Sequence, residues 1–261
     1  EAEASCRQAI VLKPDYADAY YNLGIILYAN GDLDSALESM EKANSINPKS
    51  QSIRLLLTVL QARKTRETTE VSVGNISNSG CDIRLTSNPL ILNRAVESEL
   101  IANLYEMKSL ELDKIRDPSY GNARGSGYNF FEDDHDRSII KNVAEDIVSM
   151  IMEAIKVDVY VEDSFFTILG AGGGVDRHNH ITLLDRDSSL NLAHQKYSLV
   201  YYLSIGDQDC SEPGILKLYD PSENILPCEG MITIFPADRH HSVVYNGKKD
   251  RVIIGINFYS L

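Results

Sequence analysis

Two histidines two residues apart, His178 and His180, close the stretch Gly170-Ala171-Gly172-Gly173-Gly174-Val175-Asp176-Arg177-His178-Asn179-His180 and open a run expected to be a strand over 178–184. A strand alternates its side chains between two faces, so both imidazoles would lie on one side, as two ligands of one metal ion must. The glycine run lacks the Lys-Ser/Thr ending of a phosphate loop and precedes a strand, not a helix, so it is not read as a nucleotide cradle. Further on, His240 and His241 are neighbours; on a strand they point to opposite sides, and only one can face a barrel interior. Ten residues after His241 stands Arg251, at the head of Arg251-Val252-Ile253-Ile254-Gly255-Ile256-Asn257-Phe258.

These residues need a β scaffold. After Val157 the chain turns to short β-branched and aromatic runs punctuated by Gly, Pro, Asp and Asn, at 159–169, 178–184, 197–204, 214–219, 231–235, 241–245 and 251–259, the pattern of an all-β barrel or sandwich. Residues 94–107 and 138–156 carry apolar residues at helical spacing and are expected to lie as amphipathic helices against a sheet. Between them, 117–136 reads as a long polar loop, a kind of segment that often carries function.

The N-terminal part has a different organisation. A shift of 34 residues pairs Ala2 with Ala36, Ala9 with Ala43 and Pro14 with Pro48, the period of helix-turn-helix solenoids. Gly24 and Ala36 leave room for close helix contact, Asn30-Gly31-Asp32 makes a turn, and Pro48 stops the second helix. Tyr20, Leu23, Gly24, Tyr28, Gly31, Ala36, Met40, Ala43 and Pro48 together resemble the tetratricopeptide pattern. One whole repeat and half of another are present, and 51–63 is expected to cap the stack. The expected organisation is therefore α+β: a repeat module over 1–63, a Thr/Ser/Asn/Gly linker over 64–88, and a β domain over 89–261. Arrays of this kind recur as peptide-binding grooves, so a peptide or protein partner is expected.

Composition narrows the classes of function. The net charge of -13, without a basic stripe, argues against nucleic-acid binding. No apolar run is long enough to span a bilayer, and no charged-then-apolar leader opens the chain. Cys6, Cys81, Cys210 and Cys228 are scattered, without metal-site or disulfide-framework spacing, so reduced thiols and a cytoplasmic setting are expected.

The blocks "RHNH", "YSLVYYLS", "PGILKLYDP", "GMITIFPADRHHSV" and "DRVIIGINF" make the chain from about residue 160 onward resemble the Fe(II)- and 2-oxoglutarate-dependent oxygenases, near the prolyl-hydroxylase branch. The resemblance implies a double-stranded β-helix (jelly-roll) barrel with Fe(II) held by His178, His180 and His241. It also implies 2-oxoglutarate gripped by Arg251, with Tyr202 lining its pocket, and the family's spacing of ten residues from histidine to arginine selects His241 as the inward histidine and leaves His240 exposed. Three protein ligands on one face leave three positions on iron, two for the keto acid and one for oxygen. An arginine suits the far carboxylate because its planar guanidinium offers two parallel hydrogen bonds.

The chain departs from the family at His180, where His-x-Asp or His-x-Glu is usual. Asp176 shares strand parity with both histidines and is the other candidate for third ligand, or for an acceptor of an imidazole N–H; Asp185 or Asp187 could also reach in, though both look like solvated turn residues. Two other readings stay open: a repeat scaffold with an inactive barrel, and a three-histidine metalloenzyme, on zinc for instance, that uses no keto acid. His135 and His194 are expected to be solvated.

Overall fold

The computed structural model describes residues 2–73, 88–115, 117–133 and 137–261. The chain divides into two compact units: residues 1–82 with 183–192 and 261, and residues 83–182 with 193–260.

The first unit is helical: α1 (Ala2–Leu12), α2 (Ala17–Ala29), α3 (Leu33–Ile46) and α4 (Gln51–Val73). The expected turn lies between α2 and α3, where Gly31 takes a φ of 86°, a conformation open to a residue without Cβ. Asp32 then caps α3 by accepting from the Ser35 backbone N–H at 3.0 Å. Ala36, Met40 and Ala43 recur on one face of α3 and are completely buried. Gly24 of α2 faces them so closely that a Cβ there would stand 2.7 Å from the Met40 methyl. The last helix runs on beyond 63, so the expected linker begins inside α4; residues 74–87 of that linker lie outside the described residues. Leu190 and Leu192 are buried in this unit, and Arg63 donates to the Leu190 carbonyl at 2.5 Å.

The second unit contains β1 (Leu90–Asn93), α5 (Ser98–Glu106), β2 (Leu110–Glu111), β3 (Ser119–Tyr120), β4 (Ala123–Gly125), α6 (Phe130–Asp133), α7 (Ser138–Ile155), β5 (Val159–Leu169), β6 (Gly173–His178), β7 (Lys196–Ser204), β8 (Leu216–Leu218), β9 (Glu223–Ile225), β10 (Met231–Pro236), β11 (His241–Tyr245) and β12 (Arg251–Ser260). Two sheets form, in the orders β1-β10-β7-β12-β5-β4-β2 and β3-β6-β11-β8-β9. Among the described residues, the strands of both sheets pair antiparallel.

Alternation along the two central strands separates a structural face from a chemical one. Val252, Ile254 and Ile256 of β12, with Leu199, Tyr201 and Leu203 of β7, pack into a core with Ile140, Val143, Ile147, Ile151 and Ile155 of α7. These α7 residues recur every three or four positions and so share one helix face, each contributing roughly 1.5–3 kcal/mol by burial. The alternate residues Arg251, Ile253, Gly255 and Asn257, with Ser198, Val200 and Tyr202, line a cavity instead. A second apolar cluster closes the space between the sheets, with Phe235 and Leu169 from one and Leu216, Leu218, Val243 and Tyr245 from the other.

Two expectations are corrected. The strand expected over 178–184 is not formed: β6 runs through the glycines and ends at His178, because Gly173 and Gly174 pair with Tyr245 and Val244 of β11. The long loop expected over 117–136 is broken by β3, β4 and α6. Pro118, Ser119, Ser126 and Tyr128 from it nevertheless line the cavity.

Candidate metal centre

Antiparallel pairing brings the histidines together. His241, the first residue of β11, lies directly opposite His178, the last of β6, and a register shift between His241 and Val243 marks a bulge there, a common device for re-aiming a side chain beside a site. His180 lies just past the strand, its backbone N–H held by the Ala237 carbonyl at 2.9 Å. One ring nitrogen from each of the three lies within 4.8 Å of the others, and among the described residues this is the cluster able to hold a metal ion. Strand parity therefore does not explain His180, which the loop after β6 places.

All three imidazoles are held neutral. Burial pushes down the pKa of His178, takes His180 well below the usual range with help from the neighbouring His241 and His178, and carries His241 to about 3. A neutral imidazole keeps the lone pair that a metal needs. For His241, the folded state resists a proton that the unfolded chain accepts from about pH 6.5 downward. The unfolded state therefore binds more protons between those values, and metal-free stability is lost as pH falls through that window. The expected loss from this group is about 2–3 kcal/mol by pH 4.5, read as a falling urea midpoint that falls less steeply in His241→Leu. Equal slopes in the two proteins would refute this assignment.

A second set of polar groups lies nearby, of which Arg251 and Tyr202 line the same cavity. Arg251 is 2% exposed, and Tyr202 and Thr233 are completely buried. Arg251 Nη1 donates to the Gly214 carbonyl, and the guanidinium stands over the Tyr202 ring, 5.1 Å from its centroid. Gly214 is required there, since a Cβ would fall 2.1 Å from Arg251 Nη1. Among the described residues, Arg251 Nε and the hydroxyls of Tyr202 and Thr233 find no hydrogen-bond partner outside their own group of three. Burial raises the Tyr202 phenol, and the nearby Arg251 and Thr233 only partly oppose that; burial also works against the charge on Arg251. No carboxylate pairs with Arg251 among the described residues. Buried polar atoms are ordinarily well satisfied, so the Arg251 guanidinium and the Tyr202 hydroxyl at the cavity mark a place that fits an anionic ligand.

The residues named from the sequence thus fall into one cavity: His178, His180, His241, Tyr202 and Arg251 all line it. Asp176 does not join them; its side chain is exposed, and its backbone carbonyl holds His178 Nδ1 at 2.8 Å. Asp185 and Asp187 fall in the segment grouped with the helical unit, and Asp185 is buried, not solvated. His194 and His240 are exposed as expected, and His135 lies outside the described residues. Cys6, Cys210 and Cys228 are free thiols. Asn257, Asp163, Ser198, Thr233 and Gly214 were not read from the sequence. Asn257 alone had a legible signal, a polar side chain at the same strand parity as Arg251.

The N-terminal residues match two family models, TPR repeat over residues 2–31 and Tetratricopeptide repeat over residues 17–50. No curated protein matches the chain. Among solved structures it is similar to HygX from Streptomyces hygroscopicus with nickel, 2-oxoglutarate and hygromycin B bound, at 11% identity and a TM-score of 0.51, over 71% of this chain and 88% of that one. It is also similar to the viral collagen prolyl hydroxylase of Paramecium Bursaria Chlorella virus-1 in its 2OG complex, at 12% identity and a TM-score of 0.50, over 69% of this chain and 99% of that one. At such identities the likeness is one of fold. Fold and site define a double-stranded β-helix domain, of the architecture of the 2OG-Fe(II) oxygenases, with three histidines at its cavity. The chain as a whole joins tetratricopeptide repeats to that domain. Among the described residues no helix is long and apolar enough to cross a membrane.

Proposed function

We propose that this chain is an Fe(II)- and 2-oxoglutarate-dependent dioxygenase that hydroxylates a peptide or protein segment. The observation that carries the reading is the sharing of one cavity by the three-histidine cluster and by a buried arginine that meets no carboxylate among the described residues. Bound iron and keto acid would supply an oxidant drawn from dioxygen, with release of succinate and carbon dioxide. The protein's share is binding and orientation. His178, His180 and His241 are neutral imidazoles that would hold the metal, while Arg251 and the Tyr202 hydroxyl offer hydrogen bonds to the far carboxylate of the cosubstrate. Leu216, Phe235 and Val243 keep that end dry, which strengthens the charge interactions made there. Three neutral imidazoles leave the metal's two positive charges intact and Arg251 adds a third, so a dianionic cosubstrate suits the site better than a neutral one.

The repeats support a protein partner, since arrays of this type present extended binding surfaces. The zinc reading without a keto acid gives Arg251 no role, although Arg251 lines the same cavity as the histidines. The test is anaerobic titration with Fe(II) followed by 2-oxoglutarate: a visible charge-transfer band of a chelated keto acid is expected. Its absence at saturating concentrations would overturn the cosubstrate assignment, and absence of both metal uptake and succinate release would leave the scaffold reading.

A further inference from the structure

His178 and His241 each set Nδ1 against a main-chain carbonyl, Asp176 O at 2.8 Å and Arg239 O at 3.3 Å. A carbonyl only accepts, so each Nδ1 carries the ring proton and Nε2 keeps its lone pair for the site. His180 is held differently. Its Nδ1 stands 3.2 Å from Asn257 Nδ2, which is a donor; Nδ1 must then accept, and the neutral ring carries its proton on Nε2, the nitrogen left for the site. The same Asn257 Nδ2 donates to Asp163 Oδ1 at 2.8 Å, while Asn257 Oδ1 accepts from Ser198 Oγ at 2.7 Å. A register shift in the pairing with β5 falls between Asn257 and Phe258, so the strand is locally re-aimed at this residue.

The two ends of an amide are nearly equal in shape. Turned end for end, Asn257 would set Oδ1 against both His180 and Asp163, and Nδ2 against Ser198 Oγ, which accepts as readily as it donates. His180 Nδ1 would then donate and its Nε2 would be free. That arrangement needs an O–H on Asp163, since two bare oxygens would otherwise face each other. Burial, reinforced by the adjacent Glu162, pushes the Asp163 carboxyl up to about 7, against the pull of Asn257 and Lys196, so both of its forms are accessible near neutrality.

We propose that Asn257 is the positioning residue that sets the tautomer of His180, and so selects whether His180 joins the other two histidines at a metal, with Asp163 holding the amide in one sense or the other. The proposal rests on reading the histidine cluster as a metal site. It relocates the missing carboxylate: the family's acid at the position of His180 is replaced by an acid two side chains away that acts through an amide.

Long-range nitrogen-proton NMR on the metal-free protein above neutrality reads the three ring tautomers directly. Nδ1–H is expected for His178 and His241 and Nε2–H for His180. Asn257→Asp presents only acceptor oxygens to His180, one proton being shared with Asp163, and Asp163→Asn removes the charge that holds Nδ2 in place. Both should move His180 toward Nδ1–H and tighten Ni(II) binding, by about tenfold for Asn257→Asp, whereas loss of a merely structural contact would weaken binding. A wild-type His180 already in the Nδ1–H form, or weaker Ni(II) binding in Asp163→Asn, would overturn the proposal. The Asp163→Asn and wild-type measurements stand if Asn257→Asp fails to fold. Failure of every form to take up Ni(II) would count against the metal reading, while the tautomers, read without metal, would still test Asn257.

Discussion

His241→Ala is expected to abolish metal retention, with a loss of affinity of at least about 100-fold. The residue is 6% exposed and lies opposite His178 in the strand pairing. Its ring stands 4.2 Å from that of His178 and 5.1 Å from that of His180, centroid to centroid. Its Nδ1 is oriented by the Arg239 carbonyl and its ring is packed edge-on against Phe235 at 5.0 Å. It is thus the pre-organised member of the set, and the other two imidazoles alone would leave an ion held from one side. Metal content after dialysis of protein loaded with Fe(II) or Ni(II) measures this directly. Retention equal to wild type would remove the histidine cluster as the metal centre. His178→Ala should behave similarly, and His180→Ala should cost less wherever Asn257 keeps the Nε2 of His180 protonated.

Arg251→Met is expected to separate cosubstrate binding from both metal binding and stability. The guanidinium is buried, and among the described residues it meets the Gly214 carbonyl and the Tyr202 phenol but no carboxylate. A buried charge without a counter-charge costs folding free energy, and an apolar side chain of similar length is often neutral or stabilising by about 1–4 kcal/mol. The metal-free, cosubstrate-free variant should therefore melt at or above the wild-type temperature. Fe(II) uptake should be unchanged, because Arg251 offers no ligand atom. Affinity for 2-oxoglutarate should fall by about 2–5 kcal/mol, the loss seen when one partner of a buried charge pair is removed, which is at least roughly 30-fold. Isothermal titration of the iron-loaded variant with 2-oxoglutarate, beside thermal melting of the free protein, reads the two halves separately. A variant that binds 2-oxoglutarate as tightly as wild type, or that unfolds well below it, would show that Arg251 serves the fold and not the ligand. A site that holds an unpaired charge at the expense of stability is one shaped for something it binds.

The sequence by itself determined what depends on local periodicity and on strand parity. Strand β5 over Val159–Leu169 and strand β11 over His241–Tyr245 begin and end where the β-branched runs do, and α7 follows its apolar stripe to within a residue. The repeat shift located the helical pairs, and the family resemblance, through the spacing from His241 to Arg251, separated the buried histidine from its exposed neighbour His240. Tertiary structure decided what depends on residues far apart in the chain. The run after the glycines looked like a strand through His180, but pairing with β11 moved the strand upstream and left His180 in a loop. The segment 183–192 was grouped with the helical unit, which no local pattern announces. Above all, the partner of each ring nitrogen was set across the sheets: carbonyls for His178 and His241, an amide for His180. Residue types and motif blocks pointed to three histidines, but alternation did not place His180, which lies past the end of its strand. The proton each one carries is a property of the donor or acceptor packed behind it, and for His180 that group, with the Asp163 carboxyl beyond, comes from two other strands of the sheet.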